Sequence, residues 1–369
     1  MIDVDFCIIG GGVMGLATAY WLSKTKSRIL LLDQYTIGND YCSSQDANRV
    51  FRYSYGRDLL YTRMAHETLA HWKNLERESG ETLLIPCGLL LLQTNDEESN
   101  RFNQDTYKAL TDLDLGIEEL DQSELARKYP QFHTSHAYLD THGGVLLASK
   151  TLTTLASIAR RQGVTILENH KATKIIHDSQ LQIETSHETV KCRKAIVTTG
   201  PWSNNFRAPL LPPITPTRQQ ILYFQPQANL HDYRPGRFPV FFAGQYYGLP
   251  TAGIEGVKVS HKGLDEPVNP DTANRTVDSD LEAKCRRVCR EFIPSLASAP
   301  VHQSKVCLYD MSRNSDFIIA RDPEHSSLVY GYGFSGHGFK FAPLVGRLLS
   351  ELAIGQPPSL DLARFTPKT

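Results

Sequence analysis

No apolar run in these 369 residues approaches the 18 or so that cross a bilayer, so a membrane-spanning helix is excluded. There is no N-terminal basic segment leading into an apolar stretch and cleavage site. The final Pro367-Lys368-Thr369 is not a peroxisomal tripeptide. The formal net charge is only -1 and no block of like charge occurs, so nothing draws nucleic acid or an anionic membrane as partner. Seven cysteines, an odd number without paired spacing, do not form a disulfide framework. Cys285 and Cys289 suit one face of a helix, yet no second pair completes a metal set, so packing is expected there and no metal. Internal repeats and low-complexity segments are absent. A soluble, cytoplasmic chain of two domains is the expectation.

What is present is concentrated first at the N-terminus. Asp5-Phe6-Cys7-Ile8-Ile9 is an apolar strand that runs into Gly10-Gly11-Gly12-Val13-Met14-Gly15. Gly10, Gly12 and Gly15 fit G-x-G-x-x-G between a strand and a helix. The first glycine permits the tight turn, the second lets the backbone approach a pyrophosphate, and the third lets helix and strand pack closely. Free N–H groups at the helix start face the phosphates. A second strand, Arg28-Ile29-Leu30-Leu31-Leu32, ends in Asp33, about 20 residues past the turn, where an acid bonds a ribose hydroxyl. The motif specifies a dinucleotide and leaves FAD and NAD open.

Further along, the spacing predicts a helix over 13–23, a polar loop over 34–57 and an amphipathic helix over 59–78. Residues 83–92 read as strand, turn, strand, with helical pieces near 97–113 and 122–128. A helix over 149–163 is followed by a meander of short strands closing in Lys194-Ala195-Ile196-Val197-Thr198-Thr199-Gly200. That apolar strand ending in glycine is what a nucleotide fold needs where its sheet meets the cofactor again. From 215 to 294 aromatic strands dominate and suggest an antiparallel sheet over the cofactor's reactive end. Gly333-Phe334-Ser335-Gly336-His337-Gly338 then forms a second glycine-rich turn that opens a last helix over 339–354. The fold class is α/β (α+β overall): a discontinuous Rossmann-type domain plus an antiparallel-sheet substrate domain.

Cys307-Leu308-Tyr309, Asp316-Phe317-Ile318-Ile319, His325 and Gly333 through Lys340 resemble the monomeric sarcosine oxidase family, within the D-amino-acid-oxidase-like flavoproteins. The likeness spans nearly the whole chain. Asn48-Arg49-Val50-Phe51-Arg52 is similar to the family's Thr-Arg-x-x-Arg, with Asn48 in place of the usual Thr. Gly200-Pro201-Trp202, Gly244-Gln245-Tyr246-Tyr247-Gly248-Leu249-Pro250 and Gly256-Val257-Lys258-Val259-Ser260-His261 look like its other signatures. The resemblance implies FAD, held covalently through Cys307 to the flavin 8α-methyl carbon; without it, Cys307 reads as a small buried hydrophobe. It also implies a monomer, an FAD domain of 1–80, 145–210 and 305–369, and a substrate domain of 81–144 and 211–304. Cofactor contacts are implied for Gly10, Gly12, Val13, Met14, Gly15, Asp33, Gln34, Ser43, Ser44, Asn48, Arg49, Ala172, Gly200, Trp202, Phe334, Gly336, His337, Gly338, Phe339 and Lys340.

The implied activity is oxidation of the C–N bond of a secondary (N-methyl or cyclic) amino acid to an imine, with O2 reduced to H2O2. A flavin dehydrogenase, a tailoring oxidase on a cyclic amine and a non-catalytic FAD protein are the alternatives. A carboxylate in a dry pocket needs cations, and Arg52 and Lys340 match the family's clamp. A lysine in a first helical turn opposes the helix dipole, which favours a functional reading of Lys340. Arg49 is placed beside the flavin ring, and N–H groups near 338–340 oppose charge developing at N1 and C2=O. Lys258 matches the oxygen-activating lysine, although strand periodicity equally allows a solvent-facing one. His261 is expected as base or pocket wall, with one residue fewer between lysine and histidine than in sarcosine-oxidising members. Tyr309, Tyr246 and Tyr247 are expected as aromatic walls, but strand neighbours face opposite ways, so one of the adjacent pair should enter the core.

Overall fold

The computed structural model describes residues 1–177, 180–263 and 266–366. An eight-stranded sheet is centred on Ile2–Ile9, which pairs in parallel with Ile29–Leu32 on one side and Thr189–Val197 on the other. Ile29–Leu32 is buried along its whole length. A parallel strand covered on both faces needs no polar side, which explains its unbroken apolar run. Thr165–Leu167 extends the parallel set. The long strand Thr189–Val197 has two partners on its other edge. Leu181–Thr185, carrying Ala172–His177, pairs with its first half; Leu328–Tyr332 pairs in parallel with its second. Segments far apart in sequence thus build one sheet.

Helices Val13–Leu22 and Ala342–Ile354 pack together on this sheet. Their contact depends on Gly346, where an added Cβ would lie 2.5 Å from the Ala17 carbonyl carbon. The last helix, expected from residue 339, starts as a 3-10 turn at Phe339–Phe341 and becomes α-helical at Ala342, with Pro343 in its first turn.

A nine-stranded sheet runs in the order Glu266–Pro267, Thr215–Phe224, Val257–His261, Tyr246–Leu249, Val240–Ala243, Leu89–Leu92, His136–Asp140 and Ile117–Asp121. Val301–Met311 pairs along Thr215–Phe224 as well. Two expectations change here. Val240–Ala243 and Leu89–Leu92 are parallel, so the sheet is not wholly antiparallel. These strands come from separate excursions of the chain, and no hairpin dictates their direction. Residues 305–311 also belong to this sheet and not to the nucleotide side, because Val301–Met311 is one continuous strand along a neighbour of similar length.

A third, small sheet joins Asn48–Phe51, Gly144–Leu147 and Leu84–Pro86. Asn48–Phe51 corrects the expected loop over 34–57; its partner lies too far along the chain for local pattern to reveal it. Cys285 and Cys289 are fully buried in helix Ser279–Phe292, inside the apolar core of the nine-stranded sheet. Among the described residues no helix is long and apolar enough to cross a membrane.

Candidate active site

Two cavities share Arg49, Tyr309, Gly336 and Phe339 as common wall. The first is a groove of about 350 Å³ along the ends of the first two strands. Its walls include Gly10, Gly12, Val13, Met14, Asp33, Gln34, Ser43, Ser44, Arg49, Ala172, Gly200, Trp202, Phe334, Gly336, Gly338 and Phe339. Gly10 sits at φ +106°, and a Cβ on it would be 2.4 Å from the Thr198 carbonyl oxygen. A Cβ on Gly15 would be 1.9 Å from the Gly10 oxygen, so Gly15 serves the packing of helix on strand and not the groove wall. Over Gly12 the nearest atom is Ser44 Oγ at 3.4 Å, which leaves open cradle space.

Asp33 stands at the end of its strand and accepts hydrogen bonds from the Gly11 and Tyr35 N–H groups at 2.7 and 2.8 Å. Burial raises its pKa, partly opposed by these donors. Ser43 Oγ is buried without a hydrogen-bond partner among the described residues. Asp310 accepts from the Gly333 and Phe334 N–H groups at 2.8 and 3.1 Å, so a buried carboxylate holds the second glycine turn. Desolvation pushes Asp310 up to about 6. A glycine cradle, a terminal acid and an orphaned buried hydroxyl fit an adenine dinucleotide.

Besides Gly15, four expected cofactor residues take other places. Asn48 is fully buried and donates to the Ala252 carbonyl at 2.8 Å, tying its strand to the segment that follows Tyr246–Leu249. His337 and Lys340 line the second cavity instead. Cys307 lines neither cavity. It is buried with Ile221 and Tyr223, on the same strand face as Tyr309, and burial raises its thiol pKa against the opposing pull of Arg49.

The second cavity, about 450 Å³, brings together Arg49, Arg52, Tyr55, Tyr247, Lys258, Tyr309 and Lys340. Arg52 and Lys340, far apart in sequence, meet at Tyr55. The Arg52 guanidinium stands 4.1 Å from the Tyr55 ring centre, and Lys340 Nζ donates to Tyr55 Oη at 2.8 Å and to the His337 carbonyl at 2.6 Å. Arg52 Nη1 is buried without a partner among the described residues. Burial first, then Arg52, holds Lys340 well below its usual range. His337 drops to about 3 through burial and the nearby Lys340 charge, so its ring is neutral. It shares a contact with Tyr55 Oη at 3.2 Å.

Lys258 is buried and bonded, not solvent-facing. Its Nζ donates to Asp46 Oδ2 at 2.5 Å and to the Asn48 carbonyl at 2.9 Å. Arg49 and Tyr223 donate to the same carboxylate. Burial pushes Asp46 upward, but Lys258 and Arg49 outweigh it and keep the carboxylate ionised. Desolvation lowers Lys258 to about 8, with Asp46 opposing the fall. Asp46 escaped the sequence reading because a lone acid in a polar loop carries no periodic signal.

Tyr246 is corrected: it packs on the core of the nine-stranded sheet, while Tyr247 faces the cavity. His261 lies in the cavity wall, and its ring stands edge-on to Tyr246 at 4.6 Å. Three residues from Lys258 on one strand, it points to the opposite face. Lys262, one residue on, enters the cavity wall.

A family model described as FAD dependent oxidoreductase matches residues 5–352. Over 374 residues the chain is 31% identical to peroxisomal sarcosine oxidase of Homo sapiens, covering 98% of this chain and 95% of that protein. Over 375 residues it is 28% identical to N-methyl-L-tryptophan oxidase of Salmonella newport (strain SL254), covering 98% and 97%. Glycine oxidase from Geobacillus kaustophilus shares the fold, with a TM-score of 0.87 at 19% identity over 99% of this chain and 98% of that one.

Proposed function

The chain belongs to the FAD-dependent oxidoreductases, and on that premise we propose that it oxidises the C–N bond of a secondary amino acid. The observation that carries this reading is the junction of a dinucleotide groove with a chamber whose Arg52 and Lys340 have no carboxylate partner among the described residues. The names of the relatives, sarcosine oxidase and N-methyl-L-tryptophan oxidase, agree in substrate type. When bound, FAD supplies a two-electron acceptor that O2 can reoxidise. The substrate gives up two electrons and two protons and becomes an imine, which water hydrolyses; O2 takes up both and becomes H2O2.

Arg52 offers a planar fork and Lys340 a point charge to the substrate carboxylate. Tyr55, touching both, holds them in register. Tyr247 and Tyr309 form the aromatic walls, and Arg49 stands where groove and chamber join. Lys258 assists O2 through its positive charge, which Asp46 keeps in place and favours despite burial. No side chain need act as base if the amine arrives deprotonated.

The flavin attachment through Cys307 is part of this proposal. Its support is position: Cys307 lies two residues before Tyr309 on the same strand face, beside the cavity junction. Acid precipitation of the holoenzyme tests it. A yellow pellet is the expected result, and a colourless pellet with all flavin in solution overturns the attachment. For the activity, a peroxide assay over N-methyl and cyclic amino acids is decisive. Turnover only with an artificial acceptor, without H2O2 in air, replaces the oxidase with a dehydrogenase.

A further inference from the structure

The chamber holds more basic side chains without a carboxylate partner than one α-carboxylate engages. Arg49 and Lys258 share Asp46, and Arg364 pairs with Asp58 and Asp316. Arg52, Lys340 and Lys262 have no carboxylate partner among the described residues. Lys340 at least donates to neutral oxygens, whereas no hydrogen bond or ion pair engages the Lys262 ammonium there.

Lys262 is placed by its strand. The Lys262 N–H donates to the Gln245 carbonyl at 2.6 Å, extending the ladder one residue past Val257–His261. Period-two alternation sets Lys258, Ser260 and Lys262 on one face, while Val257 and Val259 enter the core. The side chain is half-buried in the cavity wall, with Nζ 3.7 Å from the centre of the Phe242 ring. Arg52 stands over the same ring, at 5.4 Å. Both cations therefore lie on one patch of wall, within reach of a single small molecule. Desolvation, then Arg52, pushes Lys262 down to about 7. Such crowding of unpaired cations is costly unless an anion joins them.

We propose that the substrate is a secondary amino acid with a second carboxylate on its side chain, received by Lys262 while Arg52 and Lys340 hold the α-carboxylate. This rests on the amino-acid oxidase reading above. A monocarboxylate is already served by two cations, so the third marks a second anionic position.

The test uses the holoenzyme and isosteric pairs: N-methylaspartate against N-methylasparagine, and N-methylglutamate against N-methylglutamine. Within at least one pair the acid should exceed the amide in kcat/KM by about tenfold, the scale of one charge-assisted hydrogen bond. Lys262→Met should raise KM for that acid far more than for its amide, and Lys262→Arg should restore the preference. Equal kcat/KM within both pairs overturns the proposal and leaves the oxidase reading intact. A Lys262→Met effect of the same size on acid and amide also overturns it, and makes Lys262 a third ligand of the α-carboxylate. Absence of flavin reduction by any N-methyl amino acid overturns the oxidase reading and this proposal with it.

Discussion

The groove has at its base one contiguous motif, a strand, a glycine turn and the helix it opens, with later segments closing its walls. The chamber is built from side chains carried by strand 48–51, the segment after it, strand 257–261 and the last helix, which meet only when both large sheets are formed. The groove therefore tolerates almost no added volume, and the chamber depends on charge balance. The two regions should fail in different ways.

The largest effect is expected from Gly15→Val. Its Cβ has no room against the Gly10 oxygen, so helix and strand must separate and FAD should be lost altogether. Flavin content of the purified variant measures this; a normally loaded protein contradicts the packing role. Arg52→Met should keep the flavin but lower kcat/KM by about 100-fold or more, since it removes one partner of a buried charge pair. Near-normal kcat/KM would take Arg52 out of the clamp.

Lys258→Met should spare anaerobic flavin reduction and slow reoxidation by about 100-fold, the scale of one preorganised electrostatic group. Equal slowing of both half-reactions would point to a structural role. In the wild type, Lys258 is charged below its pKa of about 8 and loses its proton above it. The O2 rate constant should thus fall as pH rises through that value, and stopped-flow reoxidation across pH 6–10 reads this directly. Asp46→Asn should move the fall to lower pH, because it removes the carboxylate that favours the charged lysine.

The same contrast explains what could be seen in advance. Gly10, Gly12, Gly15 and Asp33 are legible because their spacing within one strand-turn-helix-strand unit is itself the mechanism. Lys258 and Lys340 could be singled out by family likeness, but their partners could not. Asp46 lies in a polar loop, and only the tertiary fold turns it under Lys258. Lys262 was within reach of the sequence, since it follows Lys258 at the period of a strand. His261 was singled out by family likeness with one residue fewer after Lys258, and strand alternation accordingly sets it on the face opposite Lys258. The strand Val301–Met311 has a clear pattern, yet nothing local says that it pairs with Thr215–Phe224 instead of the nucleotide sheet.

The central claim is that the groove's cofactor accepts electrons from an amino acid held in the cationic chamber. Anaerobic mixing of the holoenzyme with a panel of N-methyl and cyclic amino acids tests it most directly, followed by admission of air. At least one member should bleach the flavin fully, and air should restore it with one H2O2 for each amino acid consumed. A flavin that stays oxidised with every member of the panel would contradict the account.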